Sequence, residues 1–254
     1  MASLIKSQMF GYFRKVATFV LCAVMVLQTT LSGATFAKAV PDLGNPNITS
    51  VLAVAAGGKF AQAIGDTLYT NDTSPQIAAT YNDTGGPGID VASASIQIDG
   101  DTADFDSRNT SGISASLSDL PDGTYAVSVV VSDTAANQTV ADRSLVIDTI
   151  NPAVPTISTP TAITSNNQTP TISGTAEANS SVKIYDGSSQ ILSTQANSSG
   201  NYSIISSALV NGNHALTAKA IDRAGNESGL SAVTNYNVDI VAPAYTSIIS
   251  SIPI

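Results

Sequence analysis

The sequence predicts an all-β chain: two antiparallel β-sandwiches in tandem behind an N-terminal signal peptide. Three observations predict it. The first is repetition. Leu120-Pro-Asp-Gly-Thr-Tyr125 and Asp133-Thr-Ala-Ala-Asn137 return as Leu209-Val-Asn-Gly-Asn-His214 and Asp222-Arg-Ala-Gly-Asn226. Gly123, Asp133 and Asn137 each lie 89 residues before Gly212, Asp222 and Asn226, a period that corresponds to a whole small domain of about 80–90 residues rather than one turn of a solenoid. The second is texture: from Pro75 onward, short apolar-alternating runs are separated by Gly, Asn, Asp and Pro, and no segment sustains a helical period. The third is cysteine usage. The only cysteine is Cys22, so each repeat must stand on its own hydrophobic core rather than on disulfides.

The elements follow in chain order. Residues 1–39 read as an export signal: Lys6, Arg14 and Lys15 precede the apolar run Val16–Leu27, and Ala37-Lys38-Ala39 closes it with an A-x-A cleavage pattern. That run is shorter than the about 20 residues a membrane-spanning helix needs, and Cys22 within it leaves with the signal. Residues 40–74 carry no clear period and stand as a linker or unassigned N-terminal segment. Residues 75–150 form repeat one, with strands expected near Gln76–Tyr81, Ser93–Ile98, Ile113–Leu117, Tyr125–Ser132 and Arg143–Ile147. Residues 151–241 form repeat two, with strands near Thr171–Thr175, Ser181–Tyr185, Ile191–Gln195, Tyr202–Ser206, His214–Ile221 and Thr234–Val238. Asp99-Gly100 and Asp186-Gly187 each follow a strand, where an Asp-Gly pair favours a tight hairpin turn. In the clearest strand Tyr125, Val127, Val129 and Val131 share one face; Val130 interrupts the polar face opposite, which is therefore partly covered. Residues 242–254 match the opening of repeat two and read as the start of a truncated third repeat or a tail.

Charge excludes one class of partner. Ten Lys and Arg face nineteen Asp and Glu, for a net charge of −9. Loss of the signal would remove Lys6, Arg14, Lys15 and Lys38 and leave −13. Nucleic-acid binding needs a basic footprint that this chain lacks. All but two of the acidic residues, Glu177 and Glu227, are Asp. Asp-rich loops suit Ca²⁺, a hard cation that takes carboxylate, amide and carbonyl oxygens; they equally suit turns, in which Asp and Asn side chains bond nearby backbone.

Repeat two carries a resemblance over roughly residues 151–239. Thr169-Pro-Thr-Ile-Ser-Gly-Thr-Ala-Glu-Ala-Asn-Ser-Ser-Val-Lys-Ile-Tyr-Asp-Gly187, Gly200-Asn-Tyr202 and Asp222-Arg-Ala-Gly-Asn226 resemble the bacterial Ig-like domains of large repetitive adhesins and biofilm-associated surface proteins. Repeat one is similar to a related subtype through Pro75–Tyr81, Asp83–Asp90 and Asp133–Asn137, but has Ala136 where repeat two has Gly225. The resemblance implies tandem Ig-like β-sandwiches of seven strands each, secreted or displayed at the bacterial cell surface, with adhesive or spacer duty. It also implies that the incoming linker and two loops of each sandwich gather at one pole. For repeat two that pole would unite Asp148, Glu177, Asp222 and Asn226 as Ca²⁺ ligands stiffening the junction; for repeat one the counterparts are Asp83, Asp90, Asp133 and Asn137. His214, at the place of Tyr125, resembles the tyrosine corner of Ig folds, where a polar-tipped ring bonds backbone nearby.

Catalysis finds no footing. A single histidine, no second thiol and no Gly-x-Ser-x-Gly elbow leave nothing from which to build a nucleophile relay, and Asp99, Asp101, Asp104 and Asp106 lie beside a hairpin turn. The chain is read as a non-enzyme. The competing reading is a carbohydrate-binding accessory module of a longer extracellular protein. Sugar platforms on β-sandwiches are aromatic; Trp is absent here, and Tyr69, Tyr81, Tyr185 and Tyr202 are the available rings. A surface receptor, a glycan or a neighbouring Ig-like domain is the expected partner.

Overall fold

A computed structural model describes residues 44–57, 59–161 and 164–244. The export signal and the tail from residue 245 lie outside the described residues. Those described are all-β, and among them no helix is long and apolar enough to cross a membrane.

Among the described residues the first sandwich uses ten strands: β1 (Asn47–Val54), β2 (Ala61–Ile64), β3 (Thr67–Thr70), β4 (Gln76–Asn82), β5 (Ile89–Ile98), β6 (Asp101–Thr102), β7 (Ser107–Asn109), β8 (Gly112–Ser116), β9 (Gly123–Asp133) and β10 (Gln138–Ile147). One sheet runs β1-β4-β8-β7 and the other β2-β3-β10-β9-β5-β6. Strand β9 has the expected alternation, with Val127, Val129 and Val131 buried and Val130 half-buried. It pairs without a break against β10, from Gly123 opposite Ile147 to Ser132 opposite Gln138. Apolar faces of both sheets meet in a core that includes Val51, Leu68, Ile77, Ile96, Ile113 and Leu145. The Asp99-Gly100 turn joins β5 to β6 as expected, both residues having positive φ (52° and 92°).

This sandwich begins earlier than the sequence suggests. Residues 47–70, within the segment that stands by sequence as a linker or unassigned, supply three of its strands: β1 lies antiparallel to β4, β2 and β3 form a hairpin, and β3 runs parallel to β10. The reason the segment resists reading is its composition. Val51 is buried, but Leu52 and Val54 on the same strand are about half exposed, so its apolar residues do not alternate with polar ones.

Among the described residues the second sandwich has the seven strands the resemblance implies: β11 (Thr164–Ser165), β12 (Thr171–Thr175), β13 (Ser181–Asp186), β14 (Ser189–Gln195), β15 (Asn201–Ile205), β16 (Gly212–Ile221) and β17 (Thr234–Val238). Its larger sheet runs β11-β17-β16-β13-β14 and the smaller pairs β12 with β15, extended by a bridge between Thr159 and Ser173. Its topology repeats that of the first: β11 lies parallel to β17 as β3 lies parallel to β10. Ile172, Val182, Ile184, Leu216 and Tyr236 form a separate core. Gly174 is needed there for close approach. A Cβ at that position would stand 2.8 Å from the Tyr202 hydroxyl and nearer still to the Thr156 carbonyl, the two groups that hydrogen-bond at 2.6 Å.

Candidate functional site at the junction of the sandwiches

The sequence-marked Asp-x-x-x-Asn loops close in the same way in both repeats. In repeat two the Asp222 carboxylate accepts the Asn226 backbone N–H through Oδ1 and its side-chain amide through Oδ2, both at 2.8 Å. In repeat one Asp133 accepts the N–H groups of Ala135 and Asn137 through Oδ1 and the Asn137 amide through Oδ2. A loop leaving a strand has backbone donors without ladder partners, and a buried carboxylate satisfies several at once. Burial alone would raise the pKa of Asp133; the Asn137 amide and the N–H groups of Asn137 and Ala135 outweigh it and hold the carboxyl below its ordinary range.

The four residues expected to gather in repeat two do so in part. The Asn226 amide also donates to the Asp148 carbonyl at 2.8 Å, tying the loop to the linker. The Asp148 carboxylate turns locally and accepts the Ile150 N–H at 3.0 Å. Glu177, exposed on the loop after β12, has its pKa raised by partial desolvation, then by the negative charges of Asp222 and Asp148. The carboxylates of Asp222 and Asp148 are thus near enough for their charge to act on Glu177. Three of the four groups are already engaged: both Asp222 oxygens accept hydrogen bonds, Asp148 Oδ1 accepts the Ile150 N–H, and Asn226 directs its amide donors at Asp222 and at the Asp148 carbonyl. Among the described residues, no three His, Cys, Asp or Glu side chains stand together at metal-binding range.

In repeat one the expected set is looser. Asp83 accepts the Gly88 N–H at 2.8 Å and Asp90 accepts the Ala92 N–H at 3.0 Å. The loop between them reaches the Asp133 loop through backbone, with Thr134 N–H donating to the Gly88 carbonyl at 2.9 Å. Their carboxylates serve their own turns.

Residues that the sequence did not assign to the junction complete it. Gln62 on β2 donates to the Arg223 carbonyl at 2.6 Å. The Arg223 guanidinium donates to the Tyr69 hydroxyl at 3.3 Å and lies 5.7 Å from the centre of that ring, within cation–π range. Phe60 packs on Gly225, which has φ +89°. The only sequence signal for these contacts was the Gly225/Ala136 difference between the repeats.

The remaining candidate residues have internal duties. Tyr81 and Tyr202 are buried; the Tyr81 hydroxyl contacts the carbonyls of Asn109 and Gly112, and burial pushes the Tyr202 phenol up to about 12. Tyr69 lies against Arg223, and Tyr185 is half-buried in β13. His214 takes the corner position: its Nε2–H donates to the Val210 carbonyl at 2.9 Å, as the Tyr125 hydroxyl donates to Pro121 at 2.8 Å. Its Nδ1 lies 2.7 Å from Asp186.

Residues 158–240 match the family model described as a bacterial Ig-like domain. No curated protein matches the chain in sequence. Among solved structures, it is similar to the fibronectin(III)-like modules of Clostridium thermocellum CbhA (16% identity, 80% of this chain and 100% of that one, TM-score 0.49). It is also similar to the BSP domain of a biofilm-associated protein (18% identity, 74% and 30%, TM-score 0.29). A third is a Ca²⁺-stabilized adhesin with which an Antarctic bacterium binds ice (18%, 73% and 49%, TM-score 0.32). The chain spans less than half of the latter two.

Proposed function

Residues 158–240 being a bacterial Ig-like domain, we propose that this chain is an exported, non-catalytic tandem Ig-like module of the cell surface or extracellular space. It serves adhesion directly or spaces an adhesive element, and Ca²⁺ binding at the junction stiffens it. The observation that carries the reading is the end-to-end tie between two sandwiches of one topology, in which Asn226 bonds the linker carbonyl of Asp148. A tie of that kind serves position rather than chemistry. The carbohydrate-binding reading is less well supported, because Tyr81 and Tyr202 are buried and Tyr69 is engaged at the junction.

Thermal unfolding with and without millimolar CaCl₂ tests the calcium component. Glu177→Gln is the informative variant, since it removes the carboxylate on which the charges of Asp222 and Asp148 act and leaves the Asp222–Asn226 bonds untouched. The folded-state pKa of Glu177 is raised, so its charge opposes folding once pH exceeds its unfolded pKa. In EDTA at neutral pH the variant should therefore match or slightly exceed the wild type. With Ca²⁺, the wild type should gain about 2.7 kcal/mol at 100-fold excess over Kd and the variant much less. Equal curves for both proteins with and without the ion would refute calcium binding and leave an ion-free spacer.

A further inference from the structure

The β2–β3 hairpin has two faces with different tasks. Leu68 and Thr70 point into the first sandwich and are fully buried. Gln62 and Tyr69, directly opposite each other in the hairpin, both reach Arg223 of the second sandwich. Phe60, at the start of the hairpin, is pinned before it meets its partner: its N–H donates to Asn71 Oδ1 at 2.7 Å, and its carbonyl accepts from Thr70 Oγ1 at 2.5 Å. The backbone that carries the ring is thus fixed by the hairpin itself, which lowers the entropic cost of docking.

The receiving loop is shaped for that ring. A Cβ on Gly225 would lie 2.6 Å from Phe60 Cδ1 and nearer still to its Cγ. The equivalent loop of repeat one has the same Asp–Asn closure but carries Thr134 and Ala136 where repeat two has Arg223 and Gly225. A methyl group would fill the place of the ring, and the guanidinium is missing.

We infer that the β2–β3 hairpin is a docking clasp that recognises a following Ig-like sandwich by Arg-x-Gly in its Asp-Arg-Ala-Gly-Asn loop and fixes the angle between the two without a metal ion. This goes beyond the spacer reading and is independent of calcium: it assigns residues 59–70 a role in choosing which neighbour can follow.

The test is a distance distribution between spin labels at Thr102→Cys and Ser193→Cys, both exposed, in the full chain carrying Cys22→Ser. In EDTA the parent should give a narrow distribution. Phe60→Ser and Gly225→Ala should each lose that narrow peak while both sandwiches stay folded by circular dichroism. Ala136, at φ 68°, shows that such a loop tolerates alanine in the left-handed region. Phe105→Ser, a change to an exposed ring elsewhere, should keep the narrow peak. A parent distribution that is broad in EDTA and narrows only with CaCl₂ would overturn the clasp and leave the ion-stiffened junction standing. A narrow peak that survives in both Phe60→Ser and Gly225→Ala would overturn it as well.

Discussion

His214 shows how one position can do the same structural work with different chemistry. Tyr125 closes its corner with one hydroxyl, whereas the imidazole bonds the Val210 carbonyl with one nitrogen and faces the Asp186 carboxylate with the other. Both partners are acceptors, so the ring satisfies them only when both nitrogens carry protons. Burial would push the pKa down; the hydrogen bonds to Asp186 and Val210, together with the Asp186 charge, outweigh it and leave it above the ordinary value. Because the folded pKa is raised, the stabilisation is complete below the unfolded pKa of about 6.5 and is lost as pH rises through the folded value. The second sandwich should therefore lose thermal stability as pH rises above about 6.5. His214→Tyr, which copies Tyr125, should flatten that dependence in a pH series of melting curves. An unchanged slope in the variant would place the titrating group elsewhere.

At the scale of elements, the decisive feature is that β1 and β3 belong to the first sandwich. Val51 and Leu68 are buried among Ile77, Val129 and Leu145, and β3 covers the edge of β10 that would otherwise present unpaired backbone groups. Leu68→Ala should cost about 2–5 kcal/mol through lost burial and the cavity left behind, read from chemical denaturation. A chain beginning at Pro75 should fail to show a cooperative transition for the first sandwich. If it unfolded like the full chain, β1–β3 would be an appendage and the core assignment wrong. The Asp–Gly turns illustrate the opposite case. The Asp–Gly turn between β5 and β6, like that between β13 and β14, is a local device that turn chemistry makes visible in the sequence, whereas the N–H groups that Asp99 and Asp186 accept come from the adjoining strands β9 and β16, from Ala126 at 2.7 Å and Ala215 at 3.0 Å.

At the scale of the whole molecule, two separate cores are joined by a small polar and aromatic contact. Ile77 and Leu216 are both fully buried, in different cores. Ile77→Ala and Leu216→Ala should each destabilise by about 2–5 kcal/mol and add to within about 0.5 kcal/mol in the double variant. Each single variant should move only its own sandwich's denaturant transition; one transition moved by both would show that the sandwiches unfold as a single cooperative unit.

The sequence by itself determined the tandem β architecture, most of the strands from β4 onward, the paired Asp–Asn loops and the corner role of His214. Each of these rests on residues close in the chain or on a period that repeats within it: alternation, turn glycines, and carboxylates bonding backbone two to four residues away. Only the tertiary structure decided that residues 47–70 build the first sandwich, and that Phe60, Gln62 and Tyr69 meet Arg223 and Gly225. Those contacts span more than 150 residues of chain. Nothing in the local pattern of an Ala/Gly-rich segment encodes them, because their partner surface forms only once the second sandwich has folded.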